Sequence, residues 1–323
     1  SLNETCEHAA YWSANAAIEE ALSNPFQGTD AEAVDLLESQ LRTSISDQMV
    51  SDVPLGAFLS GGVDSSTVVA LMQQQSSRPI RTFSIGFDEP GYDEAVYAKA
   101  VAEHIGTDHT ELYVNSKDAL DVIPSLPKIY CEPFGDSSQI PTLIVSGLAR
   151  QQVTVALSGD GGDELFGGYN PYQFTPRVWR MLERFPHSMR RFASAFAQDL
   201  PLPDKLGKLR DVFASRTAEE LFYRLNSHWR NHEYPVIGAK GHTALLDTPE
   251  RWPRVDSFQH WMMAMDVQGY MPDDILVKVD RAAMANSLET RVPLIDHRVF
   301  ELAWRMPSHM KIRNGKGKWL LRE

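Results

Sequence analysis

The chain reads as an α/β protein with a parallel twisted sheet, helices on both faces, and a mostly helical C-terminal half. Three observations predict this. Short apolar runs alternate with helical patterns between about residues 55 and 157, as βαβ units do. Two of these runs end in glycine-rich turns, Ser60-Gly61-Gly62 and Ser158 to Gly162. Beyond Tyr169 the strand signals stop, and apolar residues recur at helical spacing.

The elements follow in order. Residues 1–28 are polar and broken by Pro25 and Gly28, which reads as an irregular linker. Thr29-Asp30 caps a helix that places Val34, Leu37, Leu41 and Ile45 on one stripe. Residues 55–59 form a buried strand that leads into a helix through Val68, Val69 and Leu71. A strand at 80–87, a helix at 92–105, a strand at 109–114 and a helix at 116–129 come next. After a loop at 133–138, a helix at 140–149 precedes a last strand at 153–157. Helical patterns at 218–225, 258–265 and 299–304 mark the C-terminal half, and 318–322 reads as the start of another helix.

Composition narrows the function. Hydrophobic residues make up 43% and charged residues 23% of 323 positions, which suits a chain with a large core. The 31 Lys+Arg against 43 Asp+Glu leave a formal net charge of −12. A nucleic-acid partner needs clustered cations, so none is expected. No apolar run approaches a membrane span of ~20 residues, so no membrane partner is expected. The first residues also lack the pattern of a signal peptide. Cys6 and Cys131 are too few for a disulfide framework or a four-cysteine zinc site, and they suit a reducing cytoplasm. The histidines are scattered without metal-site spacing. A start without Met and an end inside a helical pattern read as an excised piece of a longer chain.

The first turn, Leu59-Ser60-Gly61-Gly62-Val63-Asp64-Ser65-Ser66, runs from a strand through two glycines into a helix. Backbone N–H groups and the helix dipole there can cradle phosphate. No Lys follows the glycines, so it is not a Walker A loop, and the dinucleotide GxGxxG spacing is also missing. An acid inside a phosphate loop makes sense when a cation lies between them, so Asp64 is read as a Mg²⁺ ligand. The octet resembles the pyrophosphate loop of the ATP-pyrophosphatase superfamily. The second turn, Ser158-Gly159-Asp160-Gly161-Gly162-Asp163-Glu164, also follows a strand. Both turns should therefore open on the carboxyl edge of the sheet, where α/β folds bind ligands.

Four ordered segments then point to one family: the first turn, the second turn with Leu165-Phe166-Gly167-Gly168-Tyr169, the stretch from Asp280-Arg281 to Leu288-Glu289-Thr290-Arg291-Val292-Pro293, and Lys318-Trp319-Leu320-Leu321-Arg322. Together they resemble the synthetase domain of glutamine-dependent asparagine synthetases. The resemblance implies an adenine nucleotide alpha hydrolase-like fold, with an α/β core at 29–175, a helical part at 176–323, and 1–28 as the remnant of a link to a glutaminase domain. It implies adenosine of ATP against Leu59, Ile85, Ser158 and Gly159. Pyrophosphate would lie on Ser60, Gly61, Gly62, Ser65 and Ser66, with Mg²⁺ on Asp64 and Asp163. Lys318 matches the family's catalytic lysine, and Asp160 stands where a Glu often serves as the base for incoming ammonia. Glu289, Arg291 and Asp280 would buttress the site or touch substrate.

The expected reaction turns the side-chain carboxylate of L-aspartate into an acyl-adenylate, and ammonia, drawn from glutamine in the full-length enzyme, then gives L-asparagine. The same chemistry on a sugar acid, or a β-lactam-forming cyclisation, stays open. A tRNA-modifying ATP pyrophosphatase fits poorly, because it would need a basic surface and a reactive cysteine pair. A homodimer is compatible with the resemblance.

Overall fold

The structure, a computed structural model, describes residues 9–87, 94–196, 212–227 and 244–323. Cys6 and the predicted helix start at Tyr92 lie outside the described residues.

Five parallel strands form the sheet: β1 (Leu55–Phe58), β2 (Arg81–Phe87), β3 (Asp108–Val114), β4 (Val155–Leu157) and β5 (Glu289–Arg291). Their spatial order is β3-β2-β1-β4-β5. The chain thus builds outward from β1 in one direction and then from β4 in the other. Val155, Ala156 and Leu157 are all buried, so both faces of β4 are covered, as parallel sheets require. On one face Phe83, Val153 and Ala156 pack with Ala149 and Ala283, from helices Gln139–Arg150 and Leu276–Ala285. On the other, the cross-strand neighbours Ala57, Thr82 and Leu157 are buried side by side. His109 on β3 is held by the strand beside it: its ring nitrogens lie 2.9 Å from Thr82 Oγ1 and 3.1 Å from Ser84 Oγ.

The helix predicted from residue 30 spans Asp30–Met49. Thr29 accepts from the Glu32 N–H while the Glu32 carboxylate accepts from the Thr29 N–H, a reciprocal cap. Its buried stripe is Ala33, Leu37, Leu41, Ser44 and Ile45. Val34 is only half-buried, one position off the stripe.

Three readings change. The helix expected over 116–129 breaks into Ser116–Val122, a 3₁₀ turn Ile123–Ser125, and Leu126–Tyr130, because Pro124 and Pro127 cannot donate to a continuous ladder. β5 was not expected at all; its three polar residues carry neither alternation nor an apolar run. The stretch read as an irregular linker contains a helix, Ala14–Ser23, with Ala17, Ile18 and Ala21 buried. The chain forms two compact units. One unit holds 26–168 and 269–323, and the other holds 1–25 and 169–268. The last fifty-five residues therefore belong to the α/β unit, because β5 and helix Leu276–Ala285 pack on the sheet.

The second unit is helical in its described parts. Trp261 is its aromatic centre, with Phe222, Trp252 and Phe258 rings at 5.6, 5.0 and 5.8 Å. Helix Ala14–Ser23 joins it through Asn15 Nδ2 donating to Arg251 O and Glu19 accepting from the Arg254 N–H. Tyr172 is fully buried, and its hydroxyl donates to Asp266 Oδ2 at 2.6 Å.

Candidate active site

Strand order reverses between β1 and β4, and both glycine turns leave the carboxyl ends of these two paired strands. This is the crevice where doubly wound sheets hold ligands. Leu59 is buried and extends the ladder by donating its N–H to Phe83 O at 2.9 Å. Gly62 then caps helix Val63–Gln74, and Asp64 sits in that helix's first turn. The Ser60 and Ser65 hydroxyls lie 3.0 Å apart, and the Gly62 N–H donates to Ser60 Oγ at 3.2 Å. Ser65 Oγ also accepts from the Ser60 N–H at 3.2 Å. Ser66 Oγ is buried and makes no hydrogen bond. Ile85 stands on β2 opposite Leu112, half-buried.

The second turn is tied to the sheet edge, as the Ser158 N–H donates to Arg291 O at 2.8 Å. The two turns touch. A Cβ on Gly159 would lie 2.6 Å from Ser65 N, and one on Gly162 would lie 2.4 Å from Asp64 Cγ. Only glycine leaves room for the Asp64 carboxylate at that point. The Ser158 hydroxyl donates to Asp160 Oδ2.

Lys318 joins the turns. Its Nζ lies 2.5 Å from Asp64 Oδ2 and 2.7 Å from Asp163 Oδ1. The lysine is delivered on a backbone with φ of 58°, as the cap of helix Trp319–Arg322, and its N–H donates to Phe166 O at 3.0 Å. The predicted helix thus begins one residue after the lysine, which leaves the side chain free to turn inward.

Charge in this pocket is unbalanced. Burial pushes the Asp64 carboxyl up to about 6, against the pull of Lys318 and with a further push from Asp163 and Asp160. Burial also raises Asp160. Lys318 is held above its ordinary value: burial opposes this, but Asp64 and Asp163 outweigh it. One ammonium therefore serves two carboxylates, with a third nearby, and Asp64 Oδ1 is buried with no hydrogen-bond partner. Carboxylate oxygens in excess of local cations fit a hard divalent ion. Among the described residues no group of three or more His, Cys, Asp or Glu could cage a metal alone, so such an ion would share Asp64 and Asp163 with phosphate oxygens, as Mg²⁺ commonly does.

The sequence matches the Asparagine synthase family over residues 36–323. The chain belongs to that family. Glutamine-hydrolysing asparagine synthetase 1 of Bacillus subtilis is 31% identical over 315 residues, covering 93% of this chain and 48% of the relative. A putative glutamine-hydrolysing asparagine synthetase of Mycobacterium tuberculosis is 34% identical over 306 residues, covering 91% and 45%. One from Methanocaldococcus jannaschii is 35% identical over 257 residues, covering 76% and 48%. The chain spans about half the length of these curated relatives.

Within this asparagine synthase unit, Ser60, Gly61, Gly62, Asp64, Ser65, Ser158, Gly159, Asp160, Asp163 and Lys318 converge, with Leu59 just past the end of β1 and Ile85 on β2. Arg291 and Glu289 do not reach the turns with their side chains. The Arg291 guanidinium donates to Gln48 O and Val50 O, each at 2.7 Å, and to Glu289 Oε1 at 2.7 Å, so they buttress β5. Asp280 is exposed.

Sequence reasoning missed a second charged cluster. Lys278, 8% exposed, donates to Asp136 Oδ2 at 2.7 Å and to Ser138 Oγ at 2.8 Å. Asp136 also accepts from the Ser138 N–H and O–H, at 2.8 and 2.7 Å. Asp274, on a π-helical turn Met271–Ile275, stands four residues before Lys278. The signal available was the unusual Asp-Ser-Ser after a Pro/Gly loop.

Proposed function

We propose that this chain is the synthetase unit of an ATP-dependent amide ligase. It would adenylate the side-chain carboxylate of L-aspartate, releasing pyrophosphate, and aminate the acyl-adenylate with ammonia, releasing AMP. The observation that carries this reading is Lys318 bound between Asp64 and Asp163, where two glycine turns meet at the strand-order reversal.

The parts suit the steps. The Gly61 and Gly62 backbone, the Ser60, Ser65 and Ser66 hydroxyls and the start of helix Val63–Gln74 form a phosphate cradle. Mg²⁺ on Asp64 and Asp163 would supply charge neutralisation to the phosphates. Attack of one anion on another needs fixed positive charge that is strongest where charge develops. Lys318 can supply it by leaving the carboxylates for the α-phosphate. Asp160, raised by burial, suits a base with a pKa nearer neutrality, ready to take the proton that ammonia loses as it adds.

Relatives named as glutamine-hydrolysing support glutamine as the ammonia source, through a glutaminase domain in the full-length protein. A cytoplasmic location fits the free Cys131. No described helix is long and apolar enough to cross a membrane. Product analysis tests the reading. With ATP, Mg²⁺, ammonium and L-aspartate, AMP and pyrophosphate are expected, whereas ADP and phosphate would sink the adenylation mechanism. AMP formed only with a sugar acid, or with an acid carrying its own internal amine, would move the acceptor to those alternatives.

A further inference from the structure

The Lys278 cluster adjoins the second glycine turn. A Cβ on Gly161 would lie 3.8 Å from Met271 Sδ, so the π-helical turn that carries Asp274 packs against that turn. The Lys278 charge also acts on the Asp160 carboxylate. π-Helical turns insert one extra residue into a helix and are often found at functional sites.

The cluster has an anchor and two open valences. Asp136 is the anchor, with three donors from Ser138 and Lys278. Tyr130 steadies the loop that carries it, because its ring stacks on Phe134 at 4.7 Å and its hydroxyl donates to Lys278 O at 3.3 Å. Lys278 has three N–H donors and gives two of them to Asp136 and Ser138. Asp274 Oδ1 is buried without a hydrogen-bond partner, while burial, together with the charge of Asp136 and a side-chain hydrogen bond to it, pushes the Asp274 carboxyl up. A buried cation with a donor to spare and a buried carboxylate oxygen lacking a donor ask for a ligand with both charges.

We propose that Lys278 and Asp274, positioned by Asp136 and Ser138, recognise the carboxylate and ammonium of an amino-acid head on the acceptor. The pair thereby selects an amino acid over an acid that lacks the ammonium group. This rests on the adenylation reading above for the fate of the acceptor's other carboxylate.

The test compares aspartate with succinate, the same diacid without the ammonium group, in two assays: AMP formation with ammonium, and thermal stabilisation of the protein with ATP. Wild type is expected to favour aspartate in both. Asp274→Asn keeps the shape and is expected to narrow that preference about 10- to 100-fold, the range for a hydrogen bond to a charged group. The change should fall on the acceptor KM and leave the ATP KM unmoved. Lys278→Met should raise the acceptor KM similarly, and Lys278→Arg should recover most of the loss. Equal use of succinate and aspartate by wild type overturns the proposal while adenylation stands. Unchanged discrimination in Asp274→Asn, or equal losses in ATP and acceptor KM, also overturns it. Aspartate-selective stabilisation that Asp274→Asn abolishes, without AMP formation, supports the subsite and rejects adenylation. Stabilisation by neither acid, with no AMP, overturns both.

Discussion

Two largely enclosed lysines in this molecule sit among aspartates, and one aspartate bonded to each, Asp136 and Asp64, is driven in the opposite direction from the other. Asp136, beside Lys278, is pulled down to about 2: burial opposes this, but Lys278 and Ser138 outweigh it. Asp64, beside Lys318, is pushed up to about 6 by burial despite the lysine. The difference lies in the bonds left over. Asp136 has donors on both oxygens, whereas Asp64 Oδ1 has none and shares its lysine with Asp163. Asp136 is satisfied within the protein while Asp274 beside it keeps an unpartnered oxygen, whereas at the second lysine the shortage falls on Asp64 itself, the carboxylate that the lysine binds. An ion pair seen in a structure says little by itself about its purpose; the unsatisfied atoms beside it say more.

The largest expected effect tests the second lysine. Lys318→Met should cut acid-dependent AMP formation by about 100- to 1,000-fold, with the melting temperature measured alongside to separate folding from chemistry. Gly168→Ala comes next. Its Cβ would lie 2.0 Å from Asp163 Oδ1 and 2.1 Å from Lys318 Cε. Both atoms are side-chain ends and can move aside, so stability should fall by only about 1 kcal/mol, while turnover falls about 100-fold from misplacement. A loss of stability as large as the loss of activity would mean that the turn itself is strained.

A third carboxyl separates burial from lysine. Asp266 has a Tyr172 hydroxyl where the others have an ammonium, and burial pushes it up to about 6. Its native form holds a proton that the unfolded chain releases near pH 4, so it should weaken the fold as pH rises from about 4 to 6. Asp266→Asn should remove that slope, worth about 2 kcal/mol, in denaturant melts at the two pH values. Asp136 should show the reverse and the smallest effect. Its contribution is present above pH 4 and lost as pH falls toward 2. It is worth about 1 kcal/mol once solvent screening is allowed for, and Asp136→Asn should flatten the melts in that range.

Local patterns were legible in the sequence, and distant pairings were not. The glycine turns and Asp64 stand in short motifs that can be read residue by residue, Asp163 and Lys318 were singled out by the family resemblance, and the sheet followed from alternating apolar runs. Thr29 and Asp30 announced their helix in the same way. β5 was hidden because Glu289, Thr290 and Arg291 look like loop residues until β4 lies beside them. Helix Ala14–Ser23 was passed over although Ala17, Ile18 and Ala21 are spaced for one face. Nothing in the local sequence marks Lys278, because its partners Asp136 and Ser138 lie 142 and 140 residues away.

The division of the chain also dictates an order of assembly. It leaves the α/β unit at Gly168 and returns at Gly269, so about a hundred residues must be spanned before β5 can close, an entropic cost carried by the loop. Both lysines, Lys278 and Lys318, belong to the returning segment, whereas the glycine turns and Asp64, Asp136 and Asp163 precede the departure. During synthesis the acidic turns are therefore made first and wait for their cations. Contacts that distant form slowly, which makes arrival of the lysines the late step at which the nascent acidic pocket gains its counter-charge.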